Sequence, residues 1–215
     1  MFEIDLEWSF ASQYVLRPVG RGRTRDLAIY PAEGAKITRY RPLEKNPAVY
    51  AEFAKLDGCK QSCLQFAERY GLLFFNSESP VAEVETLRHW NFHIQRIKEI
   101  IHLCELSRSN SAEAFRQFGK QDIELYFDGR IFLSIKSSNS PATFDLRAVH
   151  LISAIEMQAI ASILADRRSV QCIECSTWFE IGGGARRSQS KFCSMRCKDS
   201  YHNRLKAQAR RTSHA

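Results

Sequence analysis

The sequence lacks any apolar run approaching the roughly 20 residues needed to cross a bilayer. Its opening, Met1-Phe2-Glu3-Ile4-Asp5, places no basic segment ahead of an apolar one, so no secretory leader is expected. It has no P-loop, no Gly-x-Gly-x-x-Gly turn, no nucleophile elbow and no His-Glu-x-x-His run. It also has no internal repeat and no long low-complexity segment. Together these absences point to a cytoplasmic protein with no membrane partner and no enzymatic role.

The chain has 215 residues, 44% of them hydrophobic and 26% charged, enough for one large domain or for one domain with a small appendage. Its seven cysteines are an odd number and unevenly spaced. Four of them, Cys172, Cys175, Cys193 and Cys197, form two close pairs. Without an export signal, such pairs read as metal ligands rather than as a disulfide framework.

Charge is unevenly placed as well. Residues 167–215 hold eleven Lys/Arg against Glu174, Glu180 and Asp199, a net +8, whereas residues 1–166 net to −1. The positive excess therefore belongs to the cysteine-bearing segment, which is the electrostatic footprint of a module that meets a polyanion. A solvated tail is the alternative reading.

Along the body, Phe2-Glu3-Ile4-Asp5-Leu6-Glu7-Trp8 alternates in the manner of short strands. Arg17-Pro18-Val19-Gly20-Arg21-Gly22-Arg23-Thr24-Arg25 reads as a loop, and its four arginines make a weaker candidate for phosphate contact. Asn46-Pro47 should open a helix carrying Val49, Tyr50 and Phe53 on one face, and a second helix should end at Gly71. A longer helix is expected from Ser79-Pro80, with Val84, Leu87, Trp90, Ile94, Ile97, Ile101 and Cys104 recurring at helical spacing. Asp128-Gly129 predicts a hairpin between Ile123–Phe127 and Arg130–Ile135. A last core helix is expected from Thr143 or Asp145 to Asp166. Cys59, Cys63 and Cys104 read as buried small apolar residues, and Trp90 reads as core. His89 and His93 could share a helix face, with His102 further along, but no local carboxylate or cysteine completes a site.

The fold class expected is α+β: a mostly helical body, residues 1–168, with short strands and a β-hairpin, followed by a small treble-clef-like module, residues 169–215. In that module, Cys172-x2-Cys175 forms a knuckle and Thr177–Ile181 runs out as a strand. Gly182-Gly183-Gly184 bends, Lys191-Phe192 returns, and Cys193-x3-Cys197 leads into a helix. Four thiolates fill a tetrahedral zinc site and leave no open position, so one structural zinc ion is expected rather than a catalytic one. The module has too few large apolar residues for an independent core, so the metal should supply its folding free energy. Phosphate or base contacts are expected from Arg186, Arg187 and Lys191 on the hairpin. Further contacts are expected from Arg196, Lys198, His202, Asn203, Arg204, Lys206, Arg210 and Arg211 on or beyond the helix.

Trp178-Phe179 and Lys191-Phe192-Cys193-Ser194-Met195-Arg196-Cys197, followed by Tyr201-His202-Asn203-Arg204, resemble the CGNR-type zinc finger found at the C-termini of many bacterial proteins. Where that family has Cys-Gly-Asn-Arg, this chain has Cys197-Lys198-Asp199-Ser200. The resemblance covers residues 170–210. It implies an intracellular bacterial protein, a transcription regulator with a helical N-terminal domain. The leading expectation is thus a DNA-binding regulator, DNA being favoured over RNA, whose body forms a homodimer or receives a signal. The alternatives are a protein-interaction adaptor that uses the zinc module as a scaffold, and an enzyme with an unrecognised site in the body.

Overall fold

A computed structural model describes residues 4–20, 26–46, 48–74, 84–108, 131–136, 143–183 and 189–212. The alternating N-terminal segment forms strands, as its pattern predicts: β1 (Ile4–Asp5), β2 (Trp8–Ala11), β3 (Tyr14–Val19), β4 (Asp26–Pro31) and β5 (Ile37–Tyr40). Strand β2 pairs antiparallel with β5, Trp8 opposite Tyr40. Strand β3 pairs antiparallel with β4 and lies at the edge of a sheet that β6 (Glu85–Thr86) completes on the other side. The arginine-rich loop is accordingly shorter than its composition suggests. Arg17 and Pro18 lie within β3, Pro18 opposite Leu27, because an edge strand tolerates a residue that cannot donate to the ladder. Arg21, Arg23 and Arg25 fall outside the described residues.

Among the described residues the helices are α1 (Pro42–Lys45), α2 (Val49–Ala54), α3 (Lys60–Tyr70), α4 (Leu87–Arg108), α5 (Leu151–Leu164) and α6 (Met195–Thr212). Asn46 does not cap α2 directly. It is buried, and its side-chain oxygen accepts the Ala48 N–H at 2.9 Å, which turns the chain into a helix that starts at Val49. Helix α3 ends at Gly71, whose φ is +89°. A Cβ there would lie 2.7 Å from the Ser9 carbonyl oxygen, so no other residue fits this crossing.

Helix α4 starts later than expected. Glu85-Thr86 is extended and pairs with β4, and the Thr86 hydroxyl accepts the His89 N–H at 3.3 Å at the helix start. Residues 79–83 lie outside the described residues. A larger correction concerns Thr143–Ala148, expected as the start of a helix. It forms β8, paired antiparallel with β7 (Ile131–Lys136) and parallel with β1. Thr-Phe-Asp-Leu-Arg-Ala alternates polar and apolar residues, the period of a strand, and the helical run begins only at Leu151. The first strand and the turn of the expected 123–135 hairpin lie outside the described residues.

Helix α5 is buried on every side from Leu151 to Gln158, its apolar residues enclosing Ser153, Glu156 and Gln158 as well. Trp8, Phe53, Phe66, Trp90, Ile94 and Ile97 pack in the same core. The Phe53 and Phe66 rings lie 5.1 Å apart, edge to face. Buried Glu156 of α5 is held by Arg96 of α4 at 2.7 Å. The architecture is α+β, and among the described residues no helix is long and apolar enough to cross a membrane.

Candidate metal centre

After α5, Arg167–Gln171 forms β9 and Trp178–Gly182 forms β10, paired antiparallel from Trp178–Gln171 to Gly182–Arg167. This corrects the expected hairpin. The strand at Trp178 pairs backwards with β9 rather than forwards with Lys191-Phe192, so the Cys172-x2-Cys175 knuckle is itself the hairpin tip. A knuckle already reverses the chain, and the strand that enters it is the nearest partner for the strand that leaves. The expected division between residues 168 and 169 falls inside β9.

Backbone bonds close the knuckle. The Cys172 N–H donates to the Thr177 carbonyl at 3.0 Å and the Ser176 N–H to the Cys172 carbonyl at 2.9 Å. Ser176 holds φ +59°, the left-handed region that costs an L-residue about 1–2 kcal/mol. The Gln171 side-chain amide donates to its carbonyl at 2.9 Å and helps to hold it there.

The second pair sits at the start of α6. The Ser194 hydroxyl accepts the Cys197 N–H at 3.2 Å, an N-cap that puts Cys193 just before the helix and Cys197 in its first turn. The Ile173 N–H donates to the Lys191 carbonyl at 3.2 Å, tying the approach to the second pair onto the knuckle. Further along, Phe192 packs against Tyr201 with ring centroids 5.4 Å apart, and Arg204 meets Glu174 at 2.7 Å.

These ties bring the four sulfurs together. Cys193 Sγ lies 3.5 Å from Cys175 Sγ and 3.4 Å from Cys197 Sγ, and all four lie within 4.8 Å of one another. A cation with four sulfurs at about 2.3 Å at tetrahedral corners would space them about 3.8 Å apart. A disulfide would need about 2 Å, well short of these separations. The cluster can therefore hold a metal ion, and its donor set suits a soft or borderline tetrahedral cation.

The electrostatics fit that purpose. Burial opposes charge on Cys172, yet backbone N–H groups of Cys175, Cys193 and Glu174 outweigh it and bring the thiol down to about 6. Hydrogen bonds from Thr177, side chain and backbone, lower Cys175. Burial, and then the neighbouring sulfurs, push Cys193 up to about 12. A divalent cation among the four sulfurs would favour the thiolate form of them all.

Among the described residues this is the one group of three or more His, Cys, Asp or Glu with closely gathered ligand atoms. His93 is buried against Phe74, ring centroids 5.2 Å apart, while His89 and His102 are exposed. Cys63 is buried as expected. Cys59 is not: its exposed sulfur accepts the Ser62 N–H at the start of α3. The Cys104 side chain, like Arg186 and Arg187, lies outside the described residues.

The remaining basic candidates, Lys191, Arg196, Lys198, Lys206, Arg210 and Arg211, are exposed, as are His202 and Asn203. Arg204 differs from them, because its guanidinium is directed at the knuckle. Glu174, Ser176 and Ser194 are the site residues missed by reading the cysteines alone. Only Ser194, a capping residue just ahead of a helical run, carried a sequence signal.

Fold and site together define an α+β chain with a four-cysteine cluster near its C-terminal end that can hold a metal ion. Compared with known proteins, it matches no protein-family model, no curated protein and no solved structure.

Proposed function

We propose that the chain is a zinc-binding, nucleic-acid-binding protein, a bacterial DNA-binding transcription regulator that acts in the cytoplasm. In this reading, residues 169–215 are a treble-clef finger of the CGNR-like type with one structural Zn2+ on Cys172, Cys175, Cys193 and Cys197. The mostly helical body, residues 1–168, dimerises or receives a signal. The role is binding rather than catalysis, since four thiolates leave the ion no open position.

The observation that carries the reading is the form of α6. It runs eighteen residues from the metal centre, about 27 Å, and is exposed at each residue from His202 to Arg211. Asn203, Lys206 and Arg210 fall on one face by helical spacing, and Asp199 is the one acidic residue in the helix. An exposed basic helix fixed at one end by a metal can lie along a phosphate backbone or enter a groove.

The test is duplex-DNA binding across a salt series, comparing the full chain with a variant in which Lys198, Lys206, Arg210 and Arg211 are all changed to Gln. Each phosphate that the variant no longer neutralises should flatten the slope of log affinity against log salt by about 0.9. Equal affinity and slope for the two proteins sinks the reading. Binding to an acidic protein in place of DNA favours the adaptor.

A further inference from the structure

A cleft of about 680 Å³ opens between α2, α4 and β9–β10, and no residue of α6 lines it. Its lining gathers positive charge from three distant parts of the chain: Lys55 after α2, Lys98 on α4, and Arg167 and Arg168 on β9. Among the described residues no carboxylate lines it. Arg167 is engaged by Glu180 at 2.9 Å, which leaves Lys55, Lys98 and Arg168 as the permanent cations facing the space. Like charges gathered in one concave site repel one another and raise the potential there, an arrangement that an anion relieves.

The rest of the lining suits a planar group. Trp178 forms part of one wall, with the Lys55 ammonium 5.9 Å from its ring centroid. Ala51 and Ala54 keep the α2 side low and leave room above them. Tyr50 is fixed at the floor, its hydroxyl 2.7 Å from Ser162 Oγ and 2.5 Å from Ser169 Oγ. Lys98 is held at the rim by a bond to the Leu56 carbonyl at 3.1 Å, and its ammonium has two more protons to donate. The volume falls within the roughly 300–1,000 Å³ of small-molecule sites. Three permanent cations match a dianion better than a single carboxylate, and an aromatic wall beside them favours a ring joined to that dianion.

We propose that this cleft binds an aromatic phosphate monoester of the nucleoside monophosphate class, the base lying against Trp178 and the phosphate between Lys55, Lys98 and Arg168. The site is independent of the DNA-binding reading. Because β9 and β10 lead into the metal centre, an occupant would touch both the body and the stem of the C-terminal module.

Calorimetric titration of the metal-loaded full chain tests this without DNA. The probes are the four nucleoside 5′-monophosphates, their nucleosides and inorganic phosphate. At least one monophosphate should bind one to one below about 1 mM, and about tenfold or more tighter than its nucleoside or phosphate alone. Lys55→Ala with Arg168→Ala should weaken it by about tenfold or more, and Trp178→Leu should weaken it too. Lys206→Ala with Arg210→Ala should leave it unchanged. Lys55 and Arg168 are exposed, so their variant reports on the site even if Trp178→Leu fails to fold. Competition by a 5′-phosphorylated oligonucleotide, but not by its 5′-hydroxyl form, would assign the phosphate to a nucleic-acid end; competition by neither would assign it to a free nucleotide. The proposal is overturned if no monophosphate binds below about 1 mM, or if binding is lost with Lys206 and Arg210 rather than with Lys55 and Arg168.

Discussion

Arg204, midway along α6, places its Nη2 2.7 Å from Oε2 of Glu174, one of the two residues inside the Cys172-x2-Cys175 knuckle. The same guanidinium lies 5.6 Å from the Tyr201 ring centroid. One basic residue of the helix is thus used to set the angle at which α6 leaves the metal centre. The pair is half open to solvent on the arginine side, so its contribution to stability is about 0.5 kcal/mol and falls with salt.

That position separates Arg204 from its neighbours in a measurable way. If the proposed DNA binding holds, Lys206→Ala should flatten its salt dependence by about 0.9, the change expected when one fewer phosphate is neutralised. Arg204→Ala should leave the slope unchanged, and weaken affinity only through a looser helix. A slope change for Arg204→Ala equal to that for Lys206→Ala would show that the guanidinium leaves Glu174 to reach phosphate.

A second prediction concerns alkaline pH. Burial pushes the Cys63 thiol up from 9.0 to about 11, a shift that the Ser62 hydrogen bond only partly opposes. Below pH 9 the thiol is protonated in folded and unfolded chains alike, and its full contribution is present. Between about pH 9 and 11 only the folded state keeps the proton, so stability falls as pH rises, by about 1.4 kcal/mol per unit and roughly 2–3 kcal/mol in all. Burial also raises Tyr14, to about 12, and Tyr40 and Tyr70 further, adding losses at higher pH. Urea unfolding of the body at a series of pH values should therefore show a steeper decline for the native chain than for Cys63→Ala. Parallel curves would mean that the thiol ionises freely in the fold.

What the sequence made legible follows from how local each signal is. The period of α4 put Trp90, Ile94 and Ile97 in the core, where they are fully buried, and Gly71 marked its helix end because one residue carries that requirement. The cysteine spacing marked the metal centre for the same reason. Strand β8 was legible too, in the alternation of Thr143 to Ala148, but the apolar run after it drew the helix boundary forward. Pairing was harder to read. Nothing local says that Trp178 should pair with Gln171 rather than with residues near Phe192, since either partner is close in sequence. The cationic cleft was out of reach, because Lys55, Lys98 and Arg168 share no spacing and meet only through the packing of α2, α4 and β9. The pairing of Glu174 with Arg204 was equally out of reach, because the two are thirty residues apart and meet only in the fold.

The last prediction turns on two hydrophobic clusters. Around the metal centre, Cys172, Phe179 and Ile181 are buried, with Val170, Phe192, Cys193 and Cys197 packed against them. That is too little apolar surface to hold a knuckle and an eighteen-residue helix without a bound ion. The stem of the same hairpin is anchored elsewhere: Trp178 packs against the main core and Ser169 bonds to Tyr50. Metal removal should therefore act within the module rather than on it as a block. With a strong chelator under reducing conditions, amide exchange should become fast in residues 172–176 and 191–212, while residues 167–170 and the core helices α4 and α5 keep their protection. Elemental analysis before chelation should find one zinc per chain, and Cys175→Ser should reproduce the chelated pattern. Protection kept throughout would mean that packing alone holds the centre. Loss across α4 and α5 would mean that the metal stabilises the whole fold.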